Sequence, residues 1–126
     1  MKRVLLFGTF DKLHLGHRFV IDQAIKRGEV FIVVGRDKTV LKIKDKTAAH
    51  SELERKKAIE TAYPEVSVLL GDEEKYETPL KTVNPDLILL GYDQMLPPGI
   101  QMEDISCSVE RLESYFPDKY KTSKAD

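Results

Sequence analysis

Cysteine and tryptophan are the scarcest residues in this chain, which has one cysteine, Cys107, and no tryptophan. A single thiol excludes an intrachain disulfide and a cysteine-built zinc centre, and it suits a reducing compartment. Long hydrophobic runs are missing as well. Val4-Leu5-Leu6-Phe7 follows Lys2 and Arg3 but is far shorter than a signal-peptide core or a membrane span, so a cytoplasmic location with no membrane partner is expected. Nor is there an excess of charge of one sign. Lys and Arg number 20 against 21 Asp and Glu, a formal net charge of -1, which leaves no basic footprint for nucleic acid and little field to steer an anion from afar. Any anion must be gripped by donors placed locally. Internal repeats, low-complexity tracts, a Walker loop and a Gly-x-Gly-x-x-Gly fingerprint are absent too.

What is present is the composition of an ordinary globular protein. Of 126 residues, 41% are hydrophobic and 33% charged, enough apolar material for one sizeable core and too much for a disordered chain. A single domain over residues 1–126 is expected. Arg3 to Phe7 reads as a buried strand, and Leu15 to Lys26 as a helix with Phe19, Val20, Ala24 and Ile25 as apolar positions, ended by Gly28. Val30 to Val34 is a continuous β-branched and aromatic run, the pattern of a strand covered on both faces. Asp37 to Ile43 reads as a short helix and turn. Ser51, with Glu54 completing a capping box, opens a helix running to about Tyr63 and closed by Pro64. Val66 to Leu70 is a third strand, a short helix ends at Val83, Asp86 to Gly91 is a fourth strand, and Ile105 to Leu112 a fifth, carrying Cys107 as a buried inert thiol. Pro97-Pro98-Gly99 rules out a long helix before that last strand, and Glu113 to Asp126 is polar.

Strands alternating with helices across short links specify right-handed crossovers, hence an α/β fold with a doubly wound parallel five-stranded sheet and helices on both faces. In such sheets ligands bind outside the carboxyl ends of the strands, where the winding reverses. That rule selects the loop after Phe7 and the loop after Leu90, which carries Gly91-Tyr92-Asp93-Gln94.

The first of these loops reads Gly8-Thr9-Phe10-Asp11-Lys12-Leu13-His14-Leu15-Gly16-His17. A strand, a glycine turn and a helix opening present backbone N–H groups to an anion. His14 and His17, three residues apart, point the same way on a first helical turn, and Gly16 lets a bulky ligand approach the backbone. The constellation suits stabilising charge on phosphorus. Metal binding is a weaker account, since Asp11 is the one further ligand of good type nearby, and no metal-ligating set is expected. His50 reads as a surface or satisfied core histidine. Asp93 fits either a turn cap or a partner for a ribose hydroxyl, and Lys44, Lys46 and Arg55 fit either a solvated basic face or phosphate neutralisation.

The string from Gly8 to His17 resembles the signature of the cytidylyltransferase-like nucleotidyltransferases, Rossmann-like enzymes that join a nucleoside monophosphate to a phosphorylated acceptor and release pyrophosphate. Small archaeal-type FAD synthetases are similar in Arg36-Asp37-Lys38-Thr39-Val40, in Gly91-Tyr92-Asp93-Gln94 and in the final Tyr120-Lys121-Thr122-Ser123-Lys124. Glycerol-3-phosphate cytidylyltransferases share the layout of Lys44, Lys46, His50, Ser51 and Arg55, but their late Arg-x-x-x-Ile-Ser-Thr-Thr motif and a tryptophan near Asp93 are missing.

The resemblance implies transfer of AMP from ATP to FMN, by in-line attack of a phosphate oxygen on the α-phosphorus. It makes His14 and His17 catalytic, and gives nucleotide contacts to Gly8, Thr9, Phe10, Asp11, Leu15, Gly16, Asp93, Tyr120, Thr122 and Ser123. Lys44, Lys46 and Arg55 become acceptor or phosphate contacts, Mg²⁺ or another divalent cation bridges the triphosphate, and a homodimer is expected, with apolar residues near Met95-Leu96 and Ile100 contributing. The alternatives are a cytidylyltransferase using CTP and glycerol 3-phosphate, and a nucleotide-binding module without catalysis. The second is raised by a sequence that stops just after Lys124, where relatives continue in a terminal helix.

Overall fold

The computed structural model describes residues 2–13, 15–44, 48–72, 78–92, 94, 96, 100 and 105–113, with the side chains of 39 and 42–44 outside that description. The elements in chain order are β1 (Arg3–Gly8), α1 (Leu15–Arg27), β2 (Glu29–Val34), α2 (Asp37–Lys44), α3 (Glu52–Ala62), β3 (Ser67–Leu70), α4 (Thr78–Val83), β4 (Leu87–Leu90) and β5 (Ser108–Arg111). The strands form one sheet in the order β3-β2-β1-β4-β5, every neighbouring pair parallel. Winding runs outward from β1 to β3, then crosses back to β4 on the other side of β1. The result is the Rossmann-like, doubly wound α/β sheet that the alternation of elements implies.

The sheet is apolar on both faces because alternate residues of each strand serve opposite layers. Val4, Leu6, Val30, Ile32, Val34, Leu87 and Leu89 pack with Ile21 and Ala24 of α1 and Ile59 of α3. Leu5, Phe7, Val33, Ile88 and Leu90 pack on the opposite face with Val83 of α4 and Ile100. Among the α1 positions expected to be apolar contacts, Ala24 is buried while Phe19, Val20 and Ile25 are half-buried. Ile21, one turn before Ile25 and absent from the expected set, is fully buried together with Ala24.

Local chemistry fixes the element ends. Ser51 and Glu54 form the capping box reciprocally, Oγ of Ser51 accepting the Glu54 N–H at 3.2 Å and Oε1 of Glu54 accepting the Ser51 N–H at 2.9 Å. β1 is anchored at its start by Asp86, whose Oδ2 accepts the Arg3 N–H at 2.8 Å while its own N–H donates to Arg3 O at 2.9 Å. Arg27, at the end of α1, reaches β5 with a two-pronged pair to Glu110 at 3.0 and 2.9 Å.

The fifth strand is shorter than the apolar pattern suggests. Ile105 and Cys107 precede it and Leu112 follows it, because β5 pairs with β4, whose four residues set the available register from Leu87↔Ser108 to Leu90↔Arg111. Cys107 is therefore a half-buried residue at the strand entrance, and burial pushes its thiol up, consistent with an inert group.

Gly28 closes α1 where the chain turns tightly against β1. A Cβ there would stand 2.2 Å from Lys2 O, the atom that accepts the Glu29 N–H at 2.8 Å. Gly28→Ala should cost about 1–3 kcal/mol through forced backbone displacement, read as a lower urea midpoint at unchanged m-value.

Candidate functional site

The winding reverses between β1 and β4, and the carboxyl ends of these strands are followed by the two loops singled out above. α1 begins directly beyond the first. His17 stands at the amino end of the inward stripe His17, Val20, Ile21, Ala24, so its ring is directed along the face that covers the sheet. It lies 5.1 Å from the Phe10 ring, tilted by 55°. One turn later Val20 lies against Gly91, close enough that a Cβ on that glycine would meet Val20 Cγ2 at 3.6 Å. The second turn of α1 thus packs against the residue that follows β4. In the first turn Leu15 is exposed and Gly16 half-buried.

The loop between β1 and α1 is held from below. Phe10 adopts φ 53° and Lys12 φ 54°, a left-handed conformation that side-chain-bearing residues adopt rarely. The turn at Phe10 drives its ring into the core, 5% exposed, so its side chain packs inward and its backbone remains on the loop. Gly8 makes room for that ring, since a Cβ at Gly8 would stand 2.6 Å from Phe10 Cε2. The glycine therefore serves packing within the loop.

Arg55 departs from the solvated basic face that its sequence surroundings allow. Its side chain is 1% exposed, and Nη1 donates to Thr9 O at 2.8 Å, Nε to His50 O at 3.0 Å and Nη2 to Asp37 Oδ1 at 2.7 Å. One guanidinium thereby ties the site loop to the starts of α2 and α3. The guanidinium expected to contact phosphate is buried, with Nε, Nη1 and Nη2 each donating one hydrogen bond inside the protein.

Asp11 is likewise turned toward the chain. Its Oδ2 accepts the Ala49 N–H at 2.7 Å, and Oδ1 accepts the His50 N–H at 3.1 Å and lies 3.3 Å from His50 Nδ1. Partial burial pushes the Asp11 carboxyl up, but the N–H groups of Ala49 and His50 and the His50 ring outweigh it and hold it below its ordinary value. His50 acts as a partner of Asp11 at the entrance to α3. A second clip, outside the expected set, joins Arg36 to Gly71 O at 2.7 Å and to Glu52 at 2.9 Å, while Glu52 also accepts the Asp37 N–H at 2.8 Å.

His14, Lys46, Asp93, Tyr120, Thr122 and Ser123 lie outside the described residues, as does the side chain of Lys44, the last residue of α2. Gln94 received no role from the sequence, yet its carboxamide spans the gap between β1 and β4, donating from Nε2 to Phe7 O at 2.5 Å and accepting the Gly91 N–H at 3.0 Å on Oε1. The available signal was its place three residues after the glycine that follows β4. Among the described residues no helix is long and apolar enough to cross a membrane.

A family model described as cytidylyltransferase-like matches residues 5–124. The chain belongs to the cytidylyltransferase-like family. Within it, the cytidylyltransferase-like chain is 35% identical over 123 residues to the FAD synthase of Methanopyrus kandleri, covering 90% of this chain and 81% of that one. It is 43% identical over 97 residues to the FAD synthase of Methanohalophilus mahii, covering 75% and 66%. It is also similar to the crystal structure of the lipopolysaccharide core biosynthesis protein from Thermoplasma volcanium, with TM-score 0.78, 32% identity and coverage of 91% of this chain and 98% of that one. A protein of unknown function from Archaeoglobus fulgidus shares the fold, with TM-score 0.64 and 24% identity over 90% of each chain.

Three outcomes are expected from this geometry. Arg55→Met should lower stability by about 2–4 kcal/mol, because Thr9 O and His50 O lose their donor, whereas Asp37→Asn, at a half-exposed carboxylate, should cost less than about 1 kcal/mol; urea unfolding measures both. Asp11 is lowered, so its stabilising contribution is complete above the ordinary carboxylate range and is lost as pH falls through its own value. The stability gap between the wild type and Asp11→Asn should be about 1 kcal/mol near neutrality and shrink progressively in acid, followed by thermal unfolding across pH.

Proposed function

We propose that this chain transfers the AMP group of ATP to FMN, giving FAD and pyrophosphate. The observation that carries the reading is α1, which bears Gly16 and His17 in its first turn and lays Val20 of its second turn against Gly91 at the reversal of winding, in a chain whose archaeal relatives bear the name FAD synthase. A helix amino terminus offers N–H groups and positive potential to a polyphosphate, and the His17 ring adds a donor on the same side. In-line attack of an FMN phosphate oxygen on the α-phosphorus expels pyrophosphate, and the protein contributes positioning and charge stabilisation.

In this reading His14 and His17 hold the triphosphate, and Gly16 and Leu15 border the nucleotide. Thr9, Phe10 and Gly8 act through the backbone they shape, Asp93 meets a ribose hydroxyl, and Tyr120, Thr122 and Ser123 contact the nucleotide. Lys44 and Lys46 neutralise phosphate, while Arg55 and Asp11 act by fixing the loop. The donors suited to a divalent cation are the phosphate oxygens themselves. Asp11, the carboxylate in the loop, is engaged with Ala49 and His50. A single-domain cytoplasmic enzyme, acting as a homodimer, goes with this reading.

Incubation with ATP, FMN and Mg²⁺ should yield FAD and pyrophosphate. Product from CTP and glycerol 3-phosphate alone would move the assignment to a cytidylyltransferase, and nucleotide binding without pyrophosphate release would reduce the chain to a binding module. His17→Ala should lower turnover by about a hundred- to a thousandfold, the effect of losing one preorganised charge stabiliser, in a steady-state pyrophosphate assay.

A further inference from the structure

The carboxyl ends of the strands follow one hydrogen-bonding rule with one exception. In a parallel ladder the N–H just after a strand donates to the last carbonyl of its neighbour. Gly35 N–H donates to Gly8 O between β2 and β1, Gly71 N–H to Val34 O between β3 and β2, and Leu112 N–H to Leu90 O between β5 and β4, each at 2.9 Å. The pairing of β4 with β1 ends at Leu5↔Ile88, two pairs short of the strand ends, and the rung that would close it runs from Gly91 N–H to Phe7 O. Both atoms are instead occupied by the Gln94 carboxamide, Oε1 taking the Gly91 N–H and Nε2 donating to Phe7 O. The missing rung falls at the reversal of winding, beside Val20 of α1.

We infer that Gln94 is a positioning residue, a spacer whose carboxamide replaces the last rung between β1 and β4 and so sets the width of the crevice that receives the nucleotide. The inference rests on the nucleotidyltransferase reading for the ligand and on hydrogen bonding for the spacer. An amide can do this because it presents an acceptor and a donor side by side, matching the donor on Gly91 and the acceptor on Phe7. The spacer is itself fixed, since Gln94 N–H donates to Gly91 O at 3.1 Å and Gln94 O accepts Arg111 Nη2 at 2.8 Å. Without the carboxamide, Gly91 N–H and Phe7 O complete each other, the strands close by one rung, and the first turn of α1 meets a narrower mouth. Folding loses little, because the two backbone groups remain satisfied. The ligand loses its fit.

The test compares Gln94→Ala and Gln94→Glu with the wild type by calorimetric ATP and CTP binding, by kcat and KM for FAD formation, and by thermal unfolding. Gln94→Ala should weaken nucleotide binding or kcat/KM by about ten- to a hundredfold, the scale of a small misplacement at a reacting centre, with its unfolding midpoint within a few degrees of the wild type. Gln94→Glu supplies a second readout. As a carboxylate it has no donor for Phe7 O, but its neutral acid carries a carbonyl and a hydroxyl in the amide's place. Its activity relative to the wild type at the same pH should therefore climb as pH falls, with the Arg111 guanidinium on the Gln94 backbone oxygen holding that recovery toward the acid end. Unchanged binding and turnover in both variants overturns the spacer, and so does a loss that follows unfolding and shows no recovery in acid. A wild type that binds ATP or CTP but makes no FAD would overturn the acceptor assignment alone, since nucleotide affinity still reads the spacer.

Discussion

The site loop rests on a buried positive charge. Arg55 is 1% exposed, and a guanidinium withdrawn from water is tolerated only when its donors find acceptors. The acceptors here are the carbonyls of Thr9 and His50 and the carboxylate of Asp37, which come from the loop after β1, the entrance to α3 and the start of α2. Satisfying one group therefore fixes the relative position of three segments. Asp11 repeats the arrangement with opposite sign, an anion collecting the N–H groups of Ala49 and His50. A cation and an anion thus clamp the same pair of segments, and α1 is launched from a loop that has little freedom to shift.

Much of the fold was legible because its signals are local. Apolar runs at strand length, glycines after them and the Ser51–Glu54 capping box each depend on residues a few positions apart, and each element found its place in the sheet. The extent of β5, above all its start, was not legible, because its length is set by β4 and not by its own apolar residues. At the site, the His17 and Gly16 signature stood out as a contiguous string. The roles of Arg55, Asp11 and Gln94 did not, because their partners lie far along the chain: Thr9 is 46 positions from Arg55, Ala49 is 38 from Asp11 and Phe7 is 87 from Gln94. A charge that will be buried and one that will be solvated look alike until the topology brings their acceptors together.

The carboxyl rim is also shaped by what it omits. Gly8 ends β1, and Gly35, Gly71 and Gly91 directly follow β2, β3 and β4. No side chain rises from those positions, so the surface over the reversal of winding is defined by backbone and by the few side chains that reach in from neighbours, His17, Val20 and Gln94 among them.

Phe10 shows where conformational cost is met. Its left-handed backbone, φ 53°, is unfavourable in isolation, and the ring it drives into the core offsets that strain through burial. The loop thereby acquires its shape when the chain folds, ahead of any encounter with a ligand. On the proposed reading, an anion arriving at α1 meets a helix start that is already formed and gives up little affinity to ordering it, so part of the binding strength is inherited from the hydrophobic core.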